Sequence, residues 1–73
     1  MYKLKQKVIH QLQTDQNIRR SVAMSMGVGE QAIRNSITSK YEGRSIAEHH
    51  DALNTLIDKT GLIMAEIREV IHD

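Results

Sequence analysis

Four side chains suited to reading hydrogen-bonding patterns fall within six residues: Glu30, Gln31, Arg34 and Asn35. Gln and Asn each carry a donor beside an acceptor, Arg carries a fork of donors, and an ionised Glu only accepts. On the major-groove edge of a base pair, Gln and Asn match adenine, Arg matches guanine, and Glu matches the cytosine amino group. A carboxylate at a helix start has a second use, stabilising its own N-terminus, so Glu30 carries two readings. Each of these roles requires the four residues to stand on a rigid, exposed helix.

The surrounding stretch supplies that support. Val22, Ala23 and Met26 fall at i, i+1 and i+4 and share one helical face. Gly27 follows, a residue free to adopt the left-handed conformation that ends a helix. Val28 is placed to plug the corner, and a new helix opens at Gly29 or Glu30, directing Ile33 and Ile37 back to the same core. Ala23, small where the two helices cross, lets them approach closely. The pattern predicts a helix-turn-helix over about residues 16–39, a unit that offers the first turn of its second helix to the major groove.

The run Ser-Val-Ala-x-x-Met-Gly-Val-Gly-Glu-Gln-Ala-Ile resembles the helix-turn-helix of phage repressors and Cro proteins, the lambda-repressor-like (XRE) family. Val22, Ala23, Met26, Gly27, Val28 and Ile33 carry the match. Ser36 departs from it, since that family usually has an apolar residue there, and Ile37 is expected to take over the packing. Similarity extends weakly to residues 52–67, while 19–37 holds the specific pattern. The resemblance implies a compact all-α, five-helix domain that binds double-stranded DNA, with Gln31 at the position of a common base-reading Gln. It further implies that Arg19, with Asn17 and Arg20 nearby, touches the phosphate backbone where the second helix begins. Thr38, Ser39, Lys40 and Arg44 are placed to hold the next phosphates, contacts that set register without reading sequence.

Charge follows the same division. Residues 1–44 hold eight Lys or Arg against three Asp or Glu, a net +5, and residues 45–73 carry −4, so the chain's +1 conceals a basic half and an acidic half. A basic face is the electrostatic footprint of phosphate binding.

The elements expected around the motif are helical. Leu4, Val8 and Leu12 at i, i+4 and i+8 predict a first helix over about residues 2–13. Thr14 or Asp15 is the expected cap of a second helix, over about 16–26, and a third covers about 30–39. Ser45-Ile46-Ala47-Glu48 has the form of a capping box opening a fourth helix that runs to Lys59 or Thr60, with Gly61 as its left-handed cap. Ile63, Ile67, Val70 and Ile71 predict a fifth helix over about 62–71. Its start is apolar on several sides, and Leu62, Ile63, Met64 and Ile67 are the expected contact of a homodimer, which would make a DNA operator palindromic.

Composition bounds the alternatives. The 73 residues make one domain, short enough that its stability is marginal or borrowed from a partner. With no Cys, disulfides and thiolate metal sites are excluded, which fits a reducing bacterial or phage-host cytoplasm. The longest apolar run, residues 62–65, is far short of a membrane span, and no long apolar block follows Lys3, Lys5 and Lys7 as in a signal peptide. His49 and His50 point about 100° apart on a helix, and His10 and His72 lack local ligand partners, so no metal or cofactor is expected. Met24 and Met64 read as core filler. No enzyme is expected either, for want of a thiol nucleophile, a Gly-rich phosphate loop or a carboxylate pair in a cleft. The expected function is sequence-specific DNA binding by a small phage or mobile-element type transcriptional regulator. A helical protein-binding module on the same fold, such as an antitoxin, antirepressor or assembly adaptor, is the alternative.

Overall fold

A computed structural model describes residues 1–72. Its elements are β1 (Tyr2–Leu4), α1 (Gln6–Thr14), α2 (Gln16–Met26), α3 (Glu30–Ser36), α4 (Arg44–Ala47), α5 (His50–Thr60), α6 (Met64–Ile67) and β2 (Arg68–Val70). The fold is mostly helical, but it is not all-α.

The two strands bring the ends of the described chain together. β1 and β2 pair antiparallel with Tyr2 opposite Val70, Lys3 opposite Glu69 and Leu4 opposite Arg68. The Lys5 N–H donates to the Ile67 carbonyl at 2.9 Å and the Ile71 N–H to the Met1 carbonyl at 3.0 Å, extending the ladder at both ends. The expected first helix therefore begins four residues late. Leu4, Val8 and Leu12 are all buried as their spacing predicted, yet Leu4 reaches the core from a strand. A helical stripe and an inward strand residue coincide there, and periodicity cannot separate them.

Asp15 is the residue that caps α2. Its Oδ1 accepts from the Asn17 and Ile18 N–H groups at 3.0 and 3.2 Å. At the other end of α2, Gly27 takes φ +69°. The Val28 N–H reaches the Ala23 carbonyl at 3.0 Å, and the Gly27 N–H reaches Met24 at 3.2 Å. This pair of bonds is a Schellman closure. The chain then turns through Gly27, Val28 and Gly29 into α3, which ends at Ser36 rather than near 39. Ile33 and Ile37 are buried, and Ile37 does the packing that Ser36 does not, while the Ser36 hydroxyl donates to the Ala32 carbonyl at 2.8 Å. Val28 and Met24 are exposed, Met24 to 75%. Neither the plug nor the filler role expected of them is observed.

The region after α3 departs most from expectation. Glu42 and Gly43 both have positive φ, and a Cβ on Gly43 would lie 2.5 Å from Leu4 Cδ1, so only glycine fits there. The expected capping box at 45–48 does not form, because Gly43 occupies the cap and Glu48 Oε1 instead accepts from the Tyr2 N–H at 2.7 Å. The expected fourth helix is broken into α4 and α5. His49 restarts it, with Nδ1 accepting from the Ala52 N–H at 3.2 Å. Gly61 closes α5 in the left-handed conformation. The expected fifth helix shrinks to the four residues of α6 before the chain turns extended to pair with β1. Arg68 locks this ending: its Nη1 donates to the Ala47 carbonyl at 3.0 Å, and its guanidinium lies 3.7 Å from the Tyr2 ring centroid.

Candidate nucleic-acid interface

The first turn of α3 is held by an arginine. Arg19, on α2, is only 6% exposed. Its Nη1 donates to the Leu12 and Gln13 carbonyls at 3.0 and 3.2 Å, and its Nε donates to Glu30 Oε1 at 3.2 Å. One guanidinium thus joins the end of α1, the body of α2 and the start of α3. It also neutralises carbonyls left unpaired at the α1 C-terminus, where positive charge is favourable. Arg20 Nε approaches Glu30 Oε2 at 3.7 Å from the solvent side. Two residues singled out in the sequence are placed differently from expectation. Arg19, expected at the phosphate backbone, is almost fully buried as an internal clamp, and the Glu30 carboxylate, expected at base edges or at its own helix start, is turned to the two arginines.

The remaining candidates on α3 stay outside. Gln31, Arg34 and Asn35 are exposed, as the burial of Ile33 and Ile37 on the opposite side requires. Gln31 Nε2 donates to Asn35 Oδ1 at 3.2 Å, an i, i+4 pair along the outward face. Arg34 enters no ion pair among the described residues.

Clefts flank α3 on both sides. One, of about 500 Å³, is lined by Asn35, Ser36, Tyr41, Arg44 and Ser45. The Ser45 hydroxyl donates to that of Ser36 at 3.3 Å, and Arg44 Nη2 lies 3.5 Å from Glu42 Oε1. The other, of about 280 Å³, is lined by Gln13, Arg19, Arg34, Ile37 and Thr38. Each cleft has an exposed guanidinium on its wall, and hydroxyls stand beside it in both, a donor set suited to anionic oxygens. Lys40 lies 5.3 Å from the Tyr41 ring centroid. Asn17, Arg20, Thr38, Ser39, Lys40 and Arg44 are all exposed. Thr38, Ser39, Lys40 and Arg44 follow α3 directly, whereas Asn17 lies at the α2 start. Tyr41, Ser36 and Ser45 were missed by the sequence reading. The one available signal was a tyrosine beside a lysine in a chain with two aromatic residues.

The carboxylates beyond α3 behave differently. Glu66 Oε1 accepts from the Ile63 N–H and its Oε2 from Lys7 Nζ at 3.2 Å, and these contacts, the backbone one first, hold its carboxyl below the usual range. Glu42 is lowered chiefly by its 3.1 Å bond from Lys3, whose own pKa is raised in return. Of the expected dimer contacts, Ile63 is 63% exposed, Leu62 and Met64 are half-buried, and Ile67 is completely buried in the core. Ile67 is therefore corrected: it has no surface to offer a second chain.

Among the described residues no group of three or more His, Asp or Glu is placed to hold a metal ion, and no helix is long and apolar enough to cross a membrane. No protein-family model, curated protein or solved structure matches the chain.

Proposed function

We propose that this chain binds double-stranded DNA by sequence, with α2, the turn at 27–29 and α3 acting as a helix-turn-helix and α3 entering the major groove. One observation carries the reading: α3 turns an amide pair, Gln31 with Asn35, to solvent while Arg19 and Glu30 fix its first turn to α1 and α2. Direct readout needs side chains of this type on an element whose position is set before binding. Arg34, Lys40 and Arg44, with the hydroxyls of Thr38, Ser39, Ser36 and Ser45, are the phosphate-binding set, and Arg20 and Asn17 reach the backbone at the α2 end. The lambda-repressor-like resemblance supports the same reading. It makes the chain a small transcriptional regulator of phage or mobile-element type, acting in the cytoplasm by occupying an operator. It is not an enzyme on this reading. A homodimer, contacting through Ile63 with Leu62 and Met64 at its edge, would present two copies of α3 to a palindrome.

Selection from random duplex DNA with the purified chain, repeated with Gln31→Ala/Asn35→Ala, tests the proposal. An enriched motif that the double variant loses is the expected result, with log K falling about 0.9 per unit log salt for each phosphate engaged. Absence of enrichment at low salt overturns it and moves the assignment to a protein-binding module.

A further inference from the structure

The Arg19 guanidinium has more donors than the fold uses. Its Nη1 serves the Leu12 and Gln13 carbonyls and its Nε serves Glu30, which leaves both N–H groups of Nη2 without a hydrogen bond among the described residues. Nη2 is not enclosed either, since the one buried side-chain atom without a partner among those residues is Gln11 Oε1. On a side chain only 6% exposed, charged donors left unmet are costly until something accepts from them.

The outlet is the cleft of about 280 Å³ that Arg19 lines with Gln13, Arg34, Ile37 and Thr38. At about 30 Å³ per water it has room for several solvent molecules, and hence for one tetrahedral oxoanion. Its wall is positive. Arg34 is exposed and enters no ion pair among the described residues. Glu30 is shared between Arg19 and Arg20 and forms no part of the wall. The α1 carbonyls that would oppose an anion here, those of Leu12 and Gln13, are already bonded to Arg19 Nη1. Thr38 Oγ1 donates to the Asn35 carbonyl at 3.1 Å, so the free donors come from the two arginines and the Gln13 amide.

We infer that this cleft is a binding site for one small phosphate-class oxoanion, inorganic phosphate or a monoester, held between Arg19 Nη2 and Arg34. Charge-assisted bonds from two guanidinium groups suit such an anion, and its binding completes the Arg19 clamp and ties the end of α3 to the end of α1. A backbone phosphodiester shares the chemistry. It keeps only two unesterified oxygens between bulky sugars, however, whereas orthophosphate or a monoester keeps at least three and is small enough to reach a side chain almost wholly buried. The site uses neither Gln31 nor Asn35 and does not depend on the DNA-binding reading.

The test titrates the full chain with inorganic phosphate in place of chloride, at neutral pH and constant ionic strength, and follows each arginine Nε–H by NMR. The Arg19 and Arg34 signals should shift together and saturate in the low millimolar range, with Arg44 and Arg68 little changed. Arg34→Gln, an exposed substitution that leaves the clamp intact, should weaken phosphate binding about tenfold. A drift without saturation, shared by all arginines, is screening and overturns the inference, as does full-strength binding by Arg34→Gln. Duplex DNA is the second arm: an Arg19 shift on adding duplex but not on adding phosphate gives the cleft to the backbone and likewise overturns it. Failure of phosphate to bind removes this site alone, whereas failure to enrich a duplex removes only the DNA-binding reading.

Discussion

Two side-chain pairs share α3 and do opposite things. Arg19 and Glu30 form a charged pair at its buried edge, and Gln31 and Asn35 form a neutral pair on its exposed face. By residue type, the arginine is the natural phosphate contact of the four, while the glutamate carries two readings. The fold uses them internally, because a guanidinium has enough donors to satisfy two carbonyls and a carboxylate at once where α1, α2 and α3 meet. The neutral amides stabilise little and are left available. A residue's chemistry fixes what it can bind, and its distance from the core decides whether it is free to do so.

The comparison predicts a gradient of effects. Arg19→Ala should be the most damaging, costing about 3 kcal/mol in urea unfolding, since it strands the Leu12 and Gln13 carbonyls and leaves Glu30 without its inner partner. A loss under about 1 kcal/mol would mean the clamp does not hold α3. Gln31→Ala should leave stability within about 0.5 kcal/mol of wild type, as expected of an exposed site. In the proposed complex it should cost about 1–3 kcal/mol of discrimination at one base pair, measured by competition between duplexes. Equal weakening across all sequences would contradict direct readout. Glu30→Gln keeps an acceptor for Arg19 Nε but removes the charge, so a stability loss of about 1 kcal/mol is expected, with DNA selectivity retained. Loss of selectivity with stability intact would return Glu30 to the base-reading set.

The smallest effect lies with two partly exposed carboxylates outside α3. Glu42 and Glu66 have carboxyls held below their ordinary range. Their contribution is complete above the unfolded carboxylate value, about 4.3, and disappears as pH falls through the lower folded values. Lys3 is raised, so its share of the same Lys3–Glu42 pair is complete below about 10.4 and is lost as pH rises through its folded value. Urea midpoints should therefore drop below about pH 4, and Glu42→Gln/Glu66→Gln should flatten that drop; an unchanged slope would assign the acid sensitivity elsewhere.

Much of the helical core was legible because it depends on short-range spacing. Val8, Leu12, Val22, Ala23, Ile33 and Ile37 are buried where their periodicity put them, and Gly27 and Gly61 end helices in the left-handed form. The ends of the chain were not legible. Tyr2-Lys3-Leu4 is too short to show alternation, and residues 62–71 space their aliphatics as a helix would. Pairing β1 with β2 joins residues more than sixty positions apart, and no local pattern encodes that partner. The lost capping box has the same cause, since Glu48 is drawn to the Tyr2 backbone N–H.

The sequence by itself determined the periodic helical faces, two left-handed helix ends, and the concentration of amide and basic side chains around residues 30–44. These follow from each residue's own backbone freedom and from neighbours within a turn or two. Tertiary structure alone decided that Arg19 and Glu30 face inward, that Ile67 is core, and that the chain ends form a sheet. Each of those outcomes depends on groups distant in sequence competing for the same buried donors, acceptors and space.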